Sequence, residues 1–254
     1  MKPSNISPLP TAAHIAQLSP LERTRHYLGS PSLLATITQY ETGESLVGAA
    51  ALRRKGLLVR PFWVDDPESV EGQAYQAHLQ RRPDFTLAVR QSVAERLVQA
   101  QTALPKVWRI VLKAGLRPVA VQLQLLQNLQ ALLQAKHPEW SAKQALAETR
   151  LLVADPRLKV PPHATGGAID IEVYDRSTNQ LVDMGARAND ETDRGKAYSD
   201  QITREQRARR EQLYQAMLTA GFANNANEWW HFSYGDAYWA LFYDQKRTLY
   251  RPLA

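Results

Sequence analysis

Apolar and polar positions recur with two different periods along this chain, and the changes of period mark out its elements. Positions 73–82 and 92–103 carry apolar residues at spacings of three and four, which predicts helices with one buried face. Val107-Trp-Arg-Ile-Val-Leu-Lys113 is almost continuously apolar, the pattern of a central strand. Gly115 and Pro118 end it, and Pro118 suits the start of a Gln- and Leu-rich helix over 119–136. His137-Pro138 breaks that helix, and a second is predicted over 141–152. Over 168–174 the alternation is strict, with Ile169, Ile171 and Val173 on one face and Asp170, Glu172 and Tyr174 on the other. Positions 203–220 return to the helical period, with Leu213, Met217 and Leu218 as the inner stripe and Gly221 as the stop. The aromatic run 228–234 reads as a strand, paired as a hairpin with 237–243 across Gly235-Asp236. Weaker signals give a short strand at 33–40, a helix at 44–55, a loop at 61–67, a hairpin-like turn at 175–180, resumed chain over 181–188 and a polar loop at 189–196.

Composition narrows the chemistry. The 254 residues are 44% hydrophobic and 22% charged, enough to bury a core without staples. Residues 1–30, with Pro3, Pro8, Pro10 and Pro20, read as a loosely ordered arm, and 31–254 as a single domain. Cysteine is absent, which excludes a disulfide framework, a thiolate nucleophile and a Cys-based zinc site. A metal would have to sit on His, Asp and Glu, and there are six histidines. The net charge of +6 and the arginines 204, 207, 209 and 210 read as a solvated surface. No aromatics interleave with those arginines to stack bases, so no nucleic-acid partner is expected. No apolar run is long enough for a membrane span, and the first twenty residues lack the apolar core of a signal peptide. The sequence as written therefore points to a cytoplasmic protein, or to an exported one if a signal has been removed; it says nothing of oligomeric state.

Two stretches carry the candidate chemistry. Pro161-Pro-His-Ala-Thr-Gly-Gly-Ala-Ile-Asp170 offers a histidine and, seven residues on, a carboxylate; Asn227-Glu-Trp-Trp-His-Phe232 offers a carboxylate and, three residues on, a histidine. Two imidazoles and one carboxylate make a three-ligand site for a catalytic zinc with a fourth position open to water. Glu228 is then left free to act as a base. Each half also has a plainer reading. Asp170 and Glu172 suit a solvated strand face, and Trp229, Trp230 and Phe232 suit a core that encloses a hydrogen-bonded His231. In a regular strand Glu228 and His231 point to opposite faces, so a shared centre requires Glu228 to precede the strand or a bulge to turn it. His14, His26, His78 and His137 have no ligand-type partner at useful spacing. Arg117 alone reads as a surface arginine near a helix start. Phosphate-loop, H-E-x-x-H and G-x-S-x-G patterns do not occur.

Together, His163-x-x-Gly-x-x-x-Asp170 and Glu228-x-x-His231 resemble the D-alanyl-D-alanine dipeptidases of the vancomycin-resistance type, within a wider group of zinc D,D-peptidases of cell-wall metabolism. Leu116-Arg117-Pro118, Asp183-Met184-Gly185 and the doubled Trp before His231 agree, and the likeness covers roughly 107–235. The resemblance implies an α+β fold, a mainly antiparallel sheet flanked by helices with the zinc site on the sheet. It implies one zinc on His163, Asp170 and His231, Glu228 as general base, and Arg117 as the fixed charge that stabilises the oxyanion. The substrate implied is D-alanyl-D-alanine or a similar peptidoglycan peptide; a carboxypeptidase or endopeptidase acting on longer wall peptides is the alternative. Two positions depart from the pattern. Pro161 stands where the group usually has a serine that receives substrate. Asn189, followed by Asp190, stands where it has the aspartate that meets the dipeptide amine; either the loop shifts by one residue and Asp190 serves, or the amine is bound less firmly. An ammonium is costly to bury without an anion, so this second departure bears on substrate length.

Overall fold

The computed structural model describes residues 34–190 and 192–253. The expected arm over 1–30, with His14 and His26, lies outside them. Eight strands occur among the described residues. They are β1 (Leu46–Gly48), β2 (Leu58–Val59), β3 (Ala88–Arg90), β4 (Trp108–Ala114), β5 (Ala168–Asp175), β6 (Gln180–Leu181), β7 (Ala223–Asn225) and β8 (Glu228–Ser233). The helices are α1 (Ala49–Arg54), α2 (Phe62–Asp65), α3 (Val70–Arg81), α4 (Gln91–Ala103), α5 (Val119–Lys136), α6 (Ala142–Leu152), α7 (Arg204–Thr219) and α8 (Ala237–Phe242).

The main sheet has six strands in the order β2-β4-β5-β8-β7, with β6 pairing the far end of β5. The class is α+β, as expected. The sheet is mixed, because β2 runs parallel to β4 while the other pairs are antiparallel. A separate two-stranded ladder joins β1 to β3. Ile110 and Leu112 of β4 join Ile169, Ile171 and Val173 of β5 on one fully buried face. Helix α4 brings Val93, Ala94, Leu97 and Ala100 to the same core, and α7 brings Leu213 and Met217. The opposite face carries Asp170, Glu172 and Lys113, all under 5% exposed. It is not the solvated face that the alternation allows. Glu172 is gripped by Arg187 at 2.6 and 3.1 Å, and Lys113 pairs with Asp65. Removing charges from water is tolerable only with such partners.

Most helices fall where the period places them, and their starts are capped. Ser141 and Thr203 form capping boxes with Gln144 and Gln206. Several weaker expectations are corrected. The 61–67 loop contains the turn of helix α2, and 44–55 splits into β1 and α1. Of the 33–40 strand, the described part forms only an isolated bridge from Thr38 to Arg247. Beyond Gln180–Leu181, the segment to 188 is not strand. The 237–243 hairpin strand is helix α8. The Asp236 carboxylate accepts the Trp239 N–H at 2.9 Å and caps a helix, while β5 and β7 already occupy both edges of β8. Arg210 is buried rather than solvated and donates to the carbonyls of Met184, Lys196 and Arg194.

Asp155 anchors the proline-rich segment that leads to His163. Its carboxylate, almost fully buried, accepts from Arg157 at 2.8 and 2.7 Å and from Arg150 at 2.9 Å. The hydrogen bond from Arg157 comes first among the effects that hold its carboxyl far below the ordinary 3.8, against the opposing effect of burial. Asp155→Asn keeps the shape, removes the charge and turns an NH₂ toward two guanidiniums. It is expected to cost about 1–3 kcal/mol near neutral pH. Because the folded-state pKa is depressed, this contribution is present above 3.8 and fades as the pH falls through the lower folded value. Denaturant titrations of both proteins should show the gap closing in acid; a gap independent of pH would remove the charge from the explanation.

Candidate metal centre

Three segments converge on one point of the buried polar face. The first is a short 3-10 turn, Pro162–Thr165, entered from Pro161 and closed by Gly166 in the left-handed conformation at φ 73°. At Gly167 an added Cβ would lie 2.3 Å from the Tyr234 carbonyl oxygen, so only glycine fits as the chain re-enters the sheet. This reversal folds His163 back over β5. The second and third segments are β5 and β8, whose register sets Asp170 directly opposite His231. Cross-strand neighbours on one face are close enough for their side chains to meet.

The bulge that the Glu228–His231 spacing requires is present. Across β7 and β8, Asn224 pairs with Phe232 but Asn225 pairs with Glu228, so the ladder skips Trp229 to His231. The buried Asn224 amide fills this gap by donating to the carbonyls of Glu228, Trp229 and His231 at 3.3, 3.4 and 2.8 Å. The distortion brings Glu228 Oε2 to 3.4 Å from His231 Nδ1, while Trp229 and Trp230 stay buried with their rings nearly perpendicular.

His163 Nε2 lies 3.2 Å from His231 Nδ1 and 3.2 Å from Asp170 Oδ2, and His231 Nδ1 lies 3.1 Å from Asp170 Oδ1. The outer partners bear on the tautomers. His163 Nδ1 faces the Gly115 carbonyl oxygen at 2.9 Å, which can only accept, so Nδ1 carries the proton and Nε2 a lone pair. His231 Nε2 lies 3.3 Å from Ser233 Oγ, a hydroxyl that can accept its proton and so leave Nδ1 as an inward lone pair. Three acceptors therefore converge, and positive charge must sit among them. Ligands at about 2.0–2.1 Å in a tetrahedral set lie about 3.3–3.4 Å apart, close to the spacing found. All three residues are buried, and their ligand atoms lie within 4.8 Å of one another. Two nitrogens, one oxygen and outer partners on both imidazoles suit zinc.

The electrostatics agree. With a proton on the inward nitrogens in the place a cation would take, burial works to raise the Asp170 carboxyl, but the charge and hydrogen bond of His163, and then those of His231, hold it far below the usual range. Burial would depress His231, yet the hydrogen bond and charge of Asp170 bring it above its ordinary value. Glu228 behaves oppositely. Burial raises it, Asp170 adds to the rise, and the attraction of His231 does not cancel them. Its side chain is a quarter exposed, at the edge of the centre.

Arg117 and the loop after Met184 complete the surroundings. The guanidinium of Arg117 is buried 3.8 Å from Asp170 Oδ2, not on the surface, and its backbone N–H donates to the His163 carbonyl at 3.1 Å. Burial opposes its charge, but Glu71, then Tyr75 and Asp170, keep it firmly protonated. Asn189, at φ 68°, donates its amide to Glu71 Oε2 at 2.7 Å and so belongs to the same network. Asp190 is turned into its own loop, where it accepts from the N–H and hydroxyl of Thr192. It also borders a cavity of about 580 Å³ lined in part by Met184, Arg187 and Trp229. Two residues of this region carry no signal in the candidate motifs. Glu71 precedes the periodic run that marks α3, although Ser69, which caps Gly72, offers a helix-start signal there. Asn224 is a strand residue whose role exists only through the bulge.

Comparison with known proteins places the chain among relatives. The chain is 32% identical over 207 residues to a D-alanyl-D-alanine dipeptidase of Synechocystis sp., covering 70% of this chain and 81% of that one. A D-alanyl-D-alanine dipeptidase of Enterococcus faecium is 33% identical over 70 residues, 28% of this chain and 35% of that one. A crystal structure of a vancomycin-resistance D,D-pentapeptidase, VanY, in complex with Zn(II) aligns with a TM-score of 0.40 and 16% identity, over 64% of this chain and 82% of that one. The Peptidase_M15 family, described as D-ala-D-ala dipeptidase, matches residues 77–250, which include Arg117, His163, Asp170, Glu228 and His231, and the chain belongs to that family.

Proposed function

We propose that this protein hydrolyses D-alanyl-D-alanine, or a closely similar D-amino-acid dipeptide, in peptidoglycan metabolism, with zinc held by His163, Asp170 and His231. The observation that carries this reading is the convergence of three lone pairs at 3.1–3.2 Å with a separate carboxylate, Glu228, beside them. Zinc in such a site supplies an acidified water and a polarised peptide carbonyl. Glu228 takes the proton from the attacking water and returns it to the leaving amine. Arg117, fixed and permanently charged, meets the negative charge that develops on the carbonyl oxygen. Asn189 faces the substrate amine from the loop after Met184.

One observation favours a second reading. The Asn189 amide is committed to Glu71, so this position offers a free amine only a neutral carbonyl oxygen. Longer wall peptides, which carry no free amine there, would lose less than a dipeptide does. The experiment is D-alanine release from D-alanyl-D-alanine and from its N-acetylated form, by zinc-loaded and chelator-treated protein. A dipeptidase releases D-alanine from the free dipeptide only, and only with zinc. Release from the acetylated form alone moves the substrate to longer peptides, and release that ignores chelation overturns the zinc reading. Among the described residues no helix is long and apolar enough to cross a membrane.

A further inference from the structure

We infer that Glu71 is a positioning residue, which acts on the reaction through Arg117; this rests on the role proposed for Arg117 above. Two carboxylates lie near the Arg117 guanidinium. Glu71 Oε1 accepts from Nη2 at 2.5 Å, whereas Asp170 Oδ2 stands off at 3.8 Å. Gln122 Oε1 takes Nη1 at 3.2 Å, and the Gln122 amide is itself oriented by donating to the Ala154 carbonyl at 2.9 Å. The guanidinium is thus pulled away from Asp170 by Glu71 and steadied from the side by Gln122. Without the Glu71 charge, Asp170 is the carboxylate left within reach. Arg117 would be drawn toward it and leave the position from which it meets the substrate.

Glu71 is 7% exposed, and a buried carboxylate is retained only where its charge is matched. Arg117 matches it on one oxygen, and Asn189 occupies the other at 2.7 Å. One carboxylate at the start of α3 therefore ties Arg117 to the loop that carries Asn189. Glu71 lies before the 77–250 segment that the family matches.

The test uses zinc-loaded full-length protein, with E71Q and E71D made alone and in an R117A background. E71Q is expected to lower kcat on D-alanyl-D-alanine about 10–100-fold, less than the roughly 100–1,000-fold typical of deleting an oxyanion donor. KM and zinc content stay near the wild-type values. E71D keeps the charge with a shorter reach and falls between them. In R117A, neither change costs anything further, because residues that act as one unit are not additive. A second readout is independent of activity. The Arg117 guanidinium nitrogens, seen by ¹⁵N NMR, should rotate slowly in the wild type and rapidly in E71Q. Equal losses with and without Arg117, no loss in E71Q, or a guanidinium that stays rigid in E71Q would each overturn the inference. If E71Q does not fold, E71D carries the same comparison. If the wild type releases no D-alanine, the functional reading fails, and the NMR comparison still decides whether Glu71 holds Arg117.

Discussion

Glu228→Gln is expected to lower kcat by about 10²–10⁴-fold while the protein keeps its zinc. Glutamine has nearly the same shape and still reaches the edge of the centre, so binding and packing change little. It cannot accept a proton from water at any useful pH, and the loss therefore falls on the chemical step. Retention of zinc follows from the geometry. The three converging ligand atoms belong to His163, Asp170 and His231, and Glu228 stands outside that set, 3.4 Å from His231 Nδ1. Steady-state kinetics together with metal analysis of one preparation provide the check. Activity within about tenfold of wild type would remove Glu228 from the mechanism, and loss of zinc would make it a ligand instead.

His163→Ala is expected to give the opposite pattern, with zinc and activity lost together. Even outer-shell partners of metal ligands typically contribute 10–100-fold in affinity, so removing a ligand should cost more than about 100-fold. Asp170, buried beside it at 3.2 Å, would also lose that partner. Thermal unfolding with and without zinc separates the variants. At a concentration about 100 times Kd, zinc adds about 2.7 kcal/mol to the native state, a rise of about 5–10 °C for a chain of this size. Wild type and Glu228→Gln should show this rise, and His163→Ala should not. An undiminished zinc-dependent rise in His163→Ala would place the metal elsewhere.

The contrast between these variants also separates the two halves of the site. His163 and Asp170 lie on either side of a glycine reversal, whereas Glu228 and His231 share one strand. Their cooperation depends on the β5–β8 register and on a single bulge held open by Asn224. A site made this way is rigid because backbone pairing places it, and that rigidity is what catalysis by preorganised groups requires.

The sequence by itself determined the residue types of the centre, their order and most of the elements that carry them. Periodicity located α3 to α7 and strands β4, β5 and β8, because each has one buried face whose spacing survives in the one-dimensional pattern. With no cysteine, a metal had to fall to histidines and carboxylates, and only two segments offered them at useful spacing. Tertiary structure decided the rest, for reasons that no local pattern holds. The bulge in β8 depends on Asn224, a residue of a neighbouring strand. Segment 237–243 became a helix because both edges of β8 were already paired and Asp236 could cap it. Glu172, legible as a solvated position, is buried because Arg187 reaches it from a distant loop. Arg117 changes from a surface arginine to a buried charge only because Glu71, 46 residues earlier, meets it on one side and Gln122 on the other. Periodicity records which face of an element is buried; which charges meet there depends on how the faces are brought together.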